Sequence, residues 1–304
     1  MSAVAAALAP VFGLIALGVV LKRYAFRDDG FWEPVERLTY FVLFPPLLVT
    51  SIAEARIDGI GTVQLIAAAL ATMAAIAVLL FALRRHMGVN GPAFTSVVQG
   101  SLRFNTYVAL AVAAGLHGKG GLALLAIVLA FAVPLGNAIS VLALARYGMR
   151  GGAKAPSVAS EVAKNPLILA SLAGLALSLA DIAIPATLSQ MSDILGRGSL
   201  ALGLLTVGAG LSLGHLREHA RGLALASVPK LVLAPALIWF LATRIGLDPV
   251  AVSIAVVFAA QPCATSSYIL ARRLGGDASL MASIVSGQVV LAAVTLPLAL
   301  ALLG

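Results

Sequence analysis

Two short polar stretches interrupt apolar runs of this chain, and their residue types are those that could hold a charged solute. In SVVQGSLRFNTYVALAVAAG (96–115), Arg103, Asn105 and Thr106 sit at the middle of an otherwise membrane-compatible segment. In AAQPCATSSY (259–268), Gln261, Pro262, Cys263 and Thr265 occupy the same place in another. In a bilayer core each backbone group without a partner costs several kcal/mol, so interruptions persist only where protein or a watery cavity surrounds them. Pro262 lacks an N–H and clashes with the carbonyl of residue 258, which predicts an opened helix over 258–262. Freed N–H groups and half-helix N-termini favour an anion, while freed carbonyls suit a cation. Arg103, two residues before Asn105, either meets a carboxylate bidentately as contact or gate, or caps carbonyls as a structural group.

Other charged and polar residues at membrane depth are weighed beside them. Lys230 follows Pro229, about ten residues or roughly 15 Å from the nearest basic cluster. It either snorkels to the interface or meets a substrate carboxylate or internal acid. Glu36 has Arg37 beside it, and Asp193 has Arg197 one helical turn later. Both acids read first as structurally neutralised, with proton carriage as the alternative. Tyr107, Asn137 and Gln288 are candidates for lining a site or for packing and interhelical hydrogen bonding. The four histidines fall outside the apolar segments, so no metal centre is expected. Cys263 has no base or acid in matching segments, which leaves an intramembrane enzyme a remote alternative.

These residues need membrane-spanning elements to position them. Of 304 residues, 61% are hydrophobic and 11% charged, against about 25% charged in soluble domains. The chain is therefore read as an all-α polytopic membrane protein without a soluble domain. Its net charge of +8 lies in short clusters between apolar runs, which suits orientation signals and not nucleic acid. Cuts at charge clusters and Gly/Pro breaks give ten segments: 3–21, 34–53, 60–83, 93–115, 120–145, 163–180, 187–213, 221–243, 249–271 and 278–302. With the N-terminus outside, thirteen basic residues fall in cytoplasmic loops and three, Arg56, Lys119 and Arg244, in external ones. That asymmetry predicts a multi-pass protein of the cytoplasmic membrane with both termini on the periplasmic side. No Lys or Arg precedes Lys22, so the first run is expected to be a retained helix and not a signal peptide.

The two halves carry a weak internal repeat. Pro10 lies opposite Pro166 at an offset of 156, Glu36 opposite Asp193 at 157, and LLVT (47–50) opposite LLTV (204–207) at 157. Gly118 lies opposite Gly276 at 158, which sets Asn105 against Cys263. Five segments per half invert the second half, so the expected organisation is a five-helix repeat over 1–155 and an inverted one over 156–304.

The runs RFNTYVALAVAAGLHGKGG (103–121) and QPCATSSYILARRLGGDASLMAS (261–283) resemble the auxin efflux carrier family of permeases, particularly its bacterial malonate and malate transporters. VLFPPLL (42–48), KNPLI (164–168) and VPLGN (133–137) support the likeness. The resemblance implies ten transmembrane helices in the inverted-repeat fold shared with sodium-coupled bile acid symporters, with broken helices four and nine crossing. It implies a scaffold of segments one, two, six and seven, often dimeric, and a transport domain of segments three to five and eight to ten moving as an elevator. The family's crossover asparagine maps onto Asn105 and its second-half proline onto Pro262. This chain departs from plant members in having Phe104 and Tyr107, not proline, around Asn105-Thr106. It departs from bile acid symporters in having no ninth-segment carboxylate before Asp277. The function implied is secondary transport of a small organic anion such as malonate or malate, with no cofactor and with H+ or Na+ as coupling ion. A sodium-coupled symporter of the bile acid type is the alternative.

Overall fold

The computed structural model describes residues 2–55, 59–149 and 164–303, and these form helices with no strand among them. Arg56, Arg150 and Lys154, counted in the charge asymmetry, and the boundary at 155/156 lie outside the described residues. The helices are α1 (Ser2–Tyr24), α2 (Asp29–Leu38), α3 (Phe44–Ala53), α4 (Gly59–Leu83), α5 (Gly91–Leu102) and α6 (Thr106–Tyr147). They continue with α7 (Pro166–Leu179), α8 (Ala186–Ala209), α9 (Ala220–Val228), α10 (Ala234–Arg244), α11 (Pro249–Ala259), α12 (Ser266–Leu274) and α13 (Ala278–Leu303). Among the described residues, six helical runs are long and apolar enough to cross a bilayer: Val4–Tyr24, Asp29–Ala53, Gly61–His86, Gly91–Tyr147, Ala220–Arg244 and Ala278–Leu303. α7 and α11 are shorter apolar helices.

Local chemistry explains most of the boundaries. Asn90, Asn165 and Asp248 cap the first turns of α5, α7 and α11 through side-chain oxygens that accept from backbone N–H groups, and each is followed by proline in the first turn. The 57-residue run Gly91–Tyr147 is not one rod. It opens at 103–105 and turns again at Gly118, whose φ of +59° favours glycine.

Proline also shapes two single π-helical turns, Thr39–Leu43 and Pro229–Leu233. In each, the N–H of the following residue bonds five residues back, Phe44 to Thr39 and Ala234 to Pro229, just before a proline (Pro45, Pro235) that cannot donate. The segment-two proline pair is thus accommodated by a widened turn.

The chain divides into two compact units. The first comprises residues 1–63, 106–130 and 159–210. Its core rests on glycine contacts. A Cβ on Gly18 would lie 2.2 Å from the Leu205 carbonyl oxygen, and one on Gly208 would lie 1.9 Å from that of Ile15. α1 and α8 therefore approach as closely as membrane helices with small interfacial residues do. The second unit comprises residues 64–105, 131–158 and 211–304. Here α5 lies against α9 and α13: a Cβ on Gly100 would meet the Ile284 side chain at 2.5 Å and Ala226 Cβ at 3.0 Å. The Ser101 hydroxyl donates to the Ala226 carbonyl at 3.2 Å.

Candidate functional site

The second unit brings the two polar stretches together. α5 ends at Leu102, residues 103–105 are non-helical, and Arg103 is extended with φ −81° and ψ 151°. α11 ends at Ala259 and α12 begins at Ser266, with 260–265 non-helical between them, so the opening predicted at Pro262 is present. The backbone N–H of Asn105 donates to the carbonyl of Pro262 at 2.8 Å, joining one break to the other.

A third element holds both breaks. Gln288, fully buried at the middle of α13, accepts the Cys263 N–H at 2.9 Å through Oε1 and donates from Nε2 to the Gly100 carbonyl at 3.1 Å. A neutral side chain that must donate and accept at once is best an amide, whose two functions lie on one rigid plane. Each backbone group left alone in this core would cost about 1–3 kcal/mol. Gln288, weighed in the sequence between site lining and hydrogen bonding, is in this structure a brace between chain breaks.

Charge around the breaks is positive. Lys230 lies in the π-helical turn after α9 and is 3% exposed, with its Nζ 5.2 Å from the Phe104 ring centroid. Among the described residues no carboxylate pairs with it. Cation–π attraction of about 1–2 kcal/mol offsets only part of the cost of burying an ammonium group. The Arg103 guanidinium donates to the Ser266 hydroxyl at 3.0 Å, so it spans from the first break to the start of α12. Cys263 is fully buried, and its thiol lies 3.3 Å from the Ser267 hydroxyl and 3.6 Å from the Gln99 carbonyl oxygen.

Gln99 is the residue that the sequence reading passed over. It is fully buried one turn before the break, and neither atom of its amide has a hydrogen-bond partner among the described residues. Its signal was an amide inside the same apolar run as Asn105, six residues earlier. Gln261 is half satisfied: Nε2 donates to the Val257 carbonyl at 2.8 Å, while Oε1 has no partner among the described residues. Thr265 precedes α12 and is half-buried, as is Asn137 in the later part of α6.

The remaining candidates lie in the first unit. Thr106 opens α6 and is half-buried. Tyr107 packs its ring on Phe44 with centroids 5.3 Å apart, close over Gly203. Glu36 is exposed and lines a cavity of about 190 Å³ with Asp29, Trp32, Glu33, Thr206, Ala209 and Gly210. The expected Asp193–Arg197 pair is not formed. Asp193 instead meets Lys119 at 2.8 Å, and Lys119 also reaches Glu54 at 3.4 Å, which bonds Ser189. The correction has a simple cause: the turn at Gly118 brings Lys119 to the acid, while Arg197 stays exposed.

Residues 153–300 match the family described as membrane transport protein. Over 286 residues, covering 88% of this chain and 85% of the relative, the sequence is 27% identical to the protein named "Putative malonate transporter" in Rhizobium meliloti (strain 1021).

Proposed function

We propose that the chain, similar over residues 153–300 to the family described as membrane transport protein and over most of its length to a protein named as a malonate transporter, is a secondary transporter of a small organic anion, a mono- or dicarboxylate such as malonate or malate. The observation that carries this reading is the buried Lys230 beside two joined helix breaks, with no carboxylate paired to it among the described residues. An uncompensated buried cation is costly, and an anionic solute entering beside it removes that cost. Arg103, also near the breaks, supplies a planar fork suited to a carboxylate. Asn105 offers a side-chain amide at the junction, and Gln99 and Gln261 hold amide atoms to which polar ligand groups can bond. The similarity to a protein named as a malonate transporter supports the same substrate class.

The proposal places the protein in the cytoplasmic membrane with both termini on the periplasmic side, working by elevator-type alternating access in the ten-helix inverted-repeat arrangement. A homodimer through segments one, two, six and seven belongs to the same reading. No resident cofactor is required; H+ or Na+ would couple the flux. The test is uptake of labelled malonate and malate into proteoliposomes under imposed proton or sodium gradients. Saturable uptake is expected, and the gradient that drives it identifies the coupling ion. A sodium requirement with no response to protons would favour the bile acid type of mechanism. No saturable flux of either acid under any gradient would remove the substrate assignment.

A further inference from the structure

A second cationic feature of the second unit plays no part in that reading. At the end of α4, Arg84 lies against two aromatic rings that meet edge-to-face: its Cζ is 4.4 Å from the Tyr147 centroid and 5.3 Å from that of Phe94. Phe81 packs on both of those rings, 5.6 Å from Phe94 and 6.2 Å from Tyr147 by centroids. Stacking uses the faces of a guanidinium and leaves the donors around its edge. The Arg84 Nε is buried and has no hydrogen-bond partner among the described residues. Arg146, in the last turn of α6, stands over the same Tyr147 ring at 5.6 Å, with its Nε–H donating to the tyrosine hydroxyl at 3.3 Å. Two like charges thus share one ring, and no carboxylate lies within ion-pair distance of either among the described residues. Orientation of the chain in a membrane asks only for positive charge near this face; it does not ask for an arginine seated on two aromatic rings.

We propose that Arg84 and Arg146, gathered on Tyr147, bind the phosphate headgroup of an anionic phospholipid. A phosphate between two guanidinium edges receives charge-assisted hydrogen bonds and relieves their repulsion. The lipid, not a soluble phosphate, is indicated by what flanks the pair. Leu79 and Leu83 lie one helical turn apart leading into Arg84, Leu142 lies one turn before Arg146, and all three are exposed at 36%, 44% and 60%. An acyl chain following them keeps its headgroup at the two arginines, as basic pockets between membrane helices do for acidic lipids.

The test is native mass spectrometry of the full chain in detergent, titrated with phosphatidylglycerol, with phosphatidylcholine, or with inorganic phosphate as competitor. Phosphatidylglycerol should be retained about fivefold over phosphatidylcholine, whose phosphate is already offset by choline. The Arg84→Gln/Arg146→Gln double variant should lose that preference, and Arg146→Gln alone, at an exposed site, should lower it about twofold even where the double variant fails to fold. Arg85→Gln, an exposed neighbour of equal charge, should leave it unchanged. Equal retention of the two lipids, an equal loss in Arg85→Gln, or complete displacement of phosphatidylglycerol by equimolar phosphate would overturn the assignment.

Discussion

The two chain breaks of the second unit reach similar ends by different means. The break at 260–265 carries its cause within it: Pro262 cannot donate and cannot tolerate the carbonyl of residue 258. The break at 103–105 contains no proline and no glycine. It is held by groups distant in sequence, the Pro262 carbonyl on Asn105 and the Gln288 amide on Gly100. A chain stretch with ordinary helix formers can be kept open in a membrane if tertiary partners satisfy its backbone. Such a break depends on those partners, whereas a proline break depends on itself.

The sharpest test of this comparison separates the break from its chemistry. Asn105→Ala removes only a side chain, since the bond to Pro262 uses the backbone. We expect malonate uptake in proteoliposomes to be abolished while the purified variant stays monodisperse in detergent. Wild-type flux would mean that the junction is architecture and not a binding site.

Lys230→Met should move transport and stability in opposite directions. Loss of the proposed countercharge should lower uptake by about 10-fold or more, as for removal of a buried charge contact. Removing a buried cation that has no acid partner among the described residues should stabilise the fold by about 1–3 kcal/mol, read as a higher unfolding temperature. A lower unfolding temperature would show that the ammonium is structurally satisfied and would weaken the argument for an anion beside it.

Gln288→Met keeps the volume and deletes both hydrogen bonds, leaving the Gly100 carbonyl and the Cys263 N–H alone. A destabilisation of about 2–4 kcal/mol is expected. Because Cys263 is the sole cysteine and fully buried, its reaction with a small thiol reagent reports directly on the junction. The rate should rise in Gln288→Met and change less in Pro262→Ala, where Gln288 still holds Cys263. The reverse order would make the proline, not the brace, the main support.

The smallest effect is expected in the other unit. Lys119→Ala breaks ion pairs whose partners are each about one-third exposed, so it should cost about 1 kcal/mol or less. A larger loss in thermal unfolding would mark the Gly118 turn as a structural keystone.

Much of the architecture was legible before any coordinates. An all-helical membrane chain follows from the hydrophobic and charged fractions, and the α11–α12 opening from Pro262. The neutralisation of Asp193 was misread because i, i+4 spacing describes neighbours along one helix. It carries no information about Lys119, delivered from another helix by a turn. The sequence left Gln288 between lining and hydrogen bonding and passed over Gln99, since an amide in an apolar run looks the same whether it braces two backbones or, as for Gln99, has no partner among the described residues.

The sequence by itself determined the solvent, because apolar runs of this length and number admit no other, and it determined where one helix must open, because proline's missing N–H is a covalent fact. Tertiary structure alone decided that the second opening exists, which amide holds both, which lysine has no acid beside it among the described residues and which arginine lies against two aromatic rings. Each of those depends on what lies opposite a group in space, and a backbone carbonyl or a buried charge is stable or costly only by virtue of that partner.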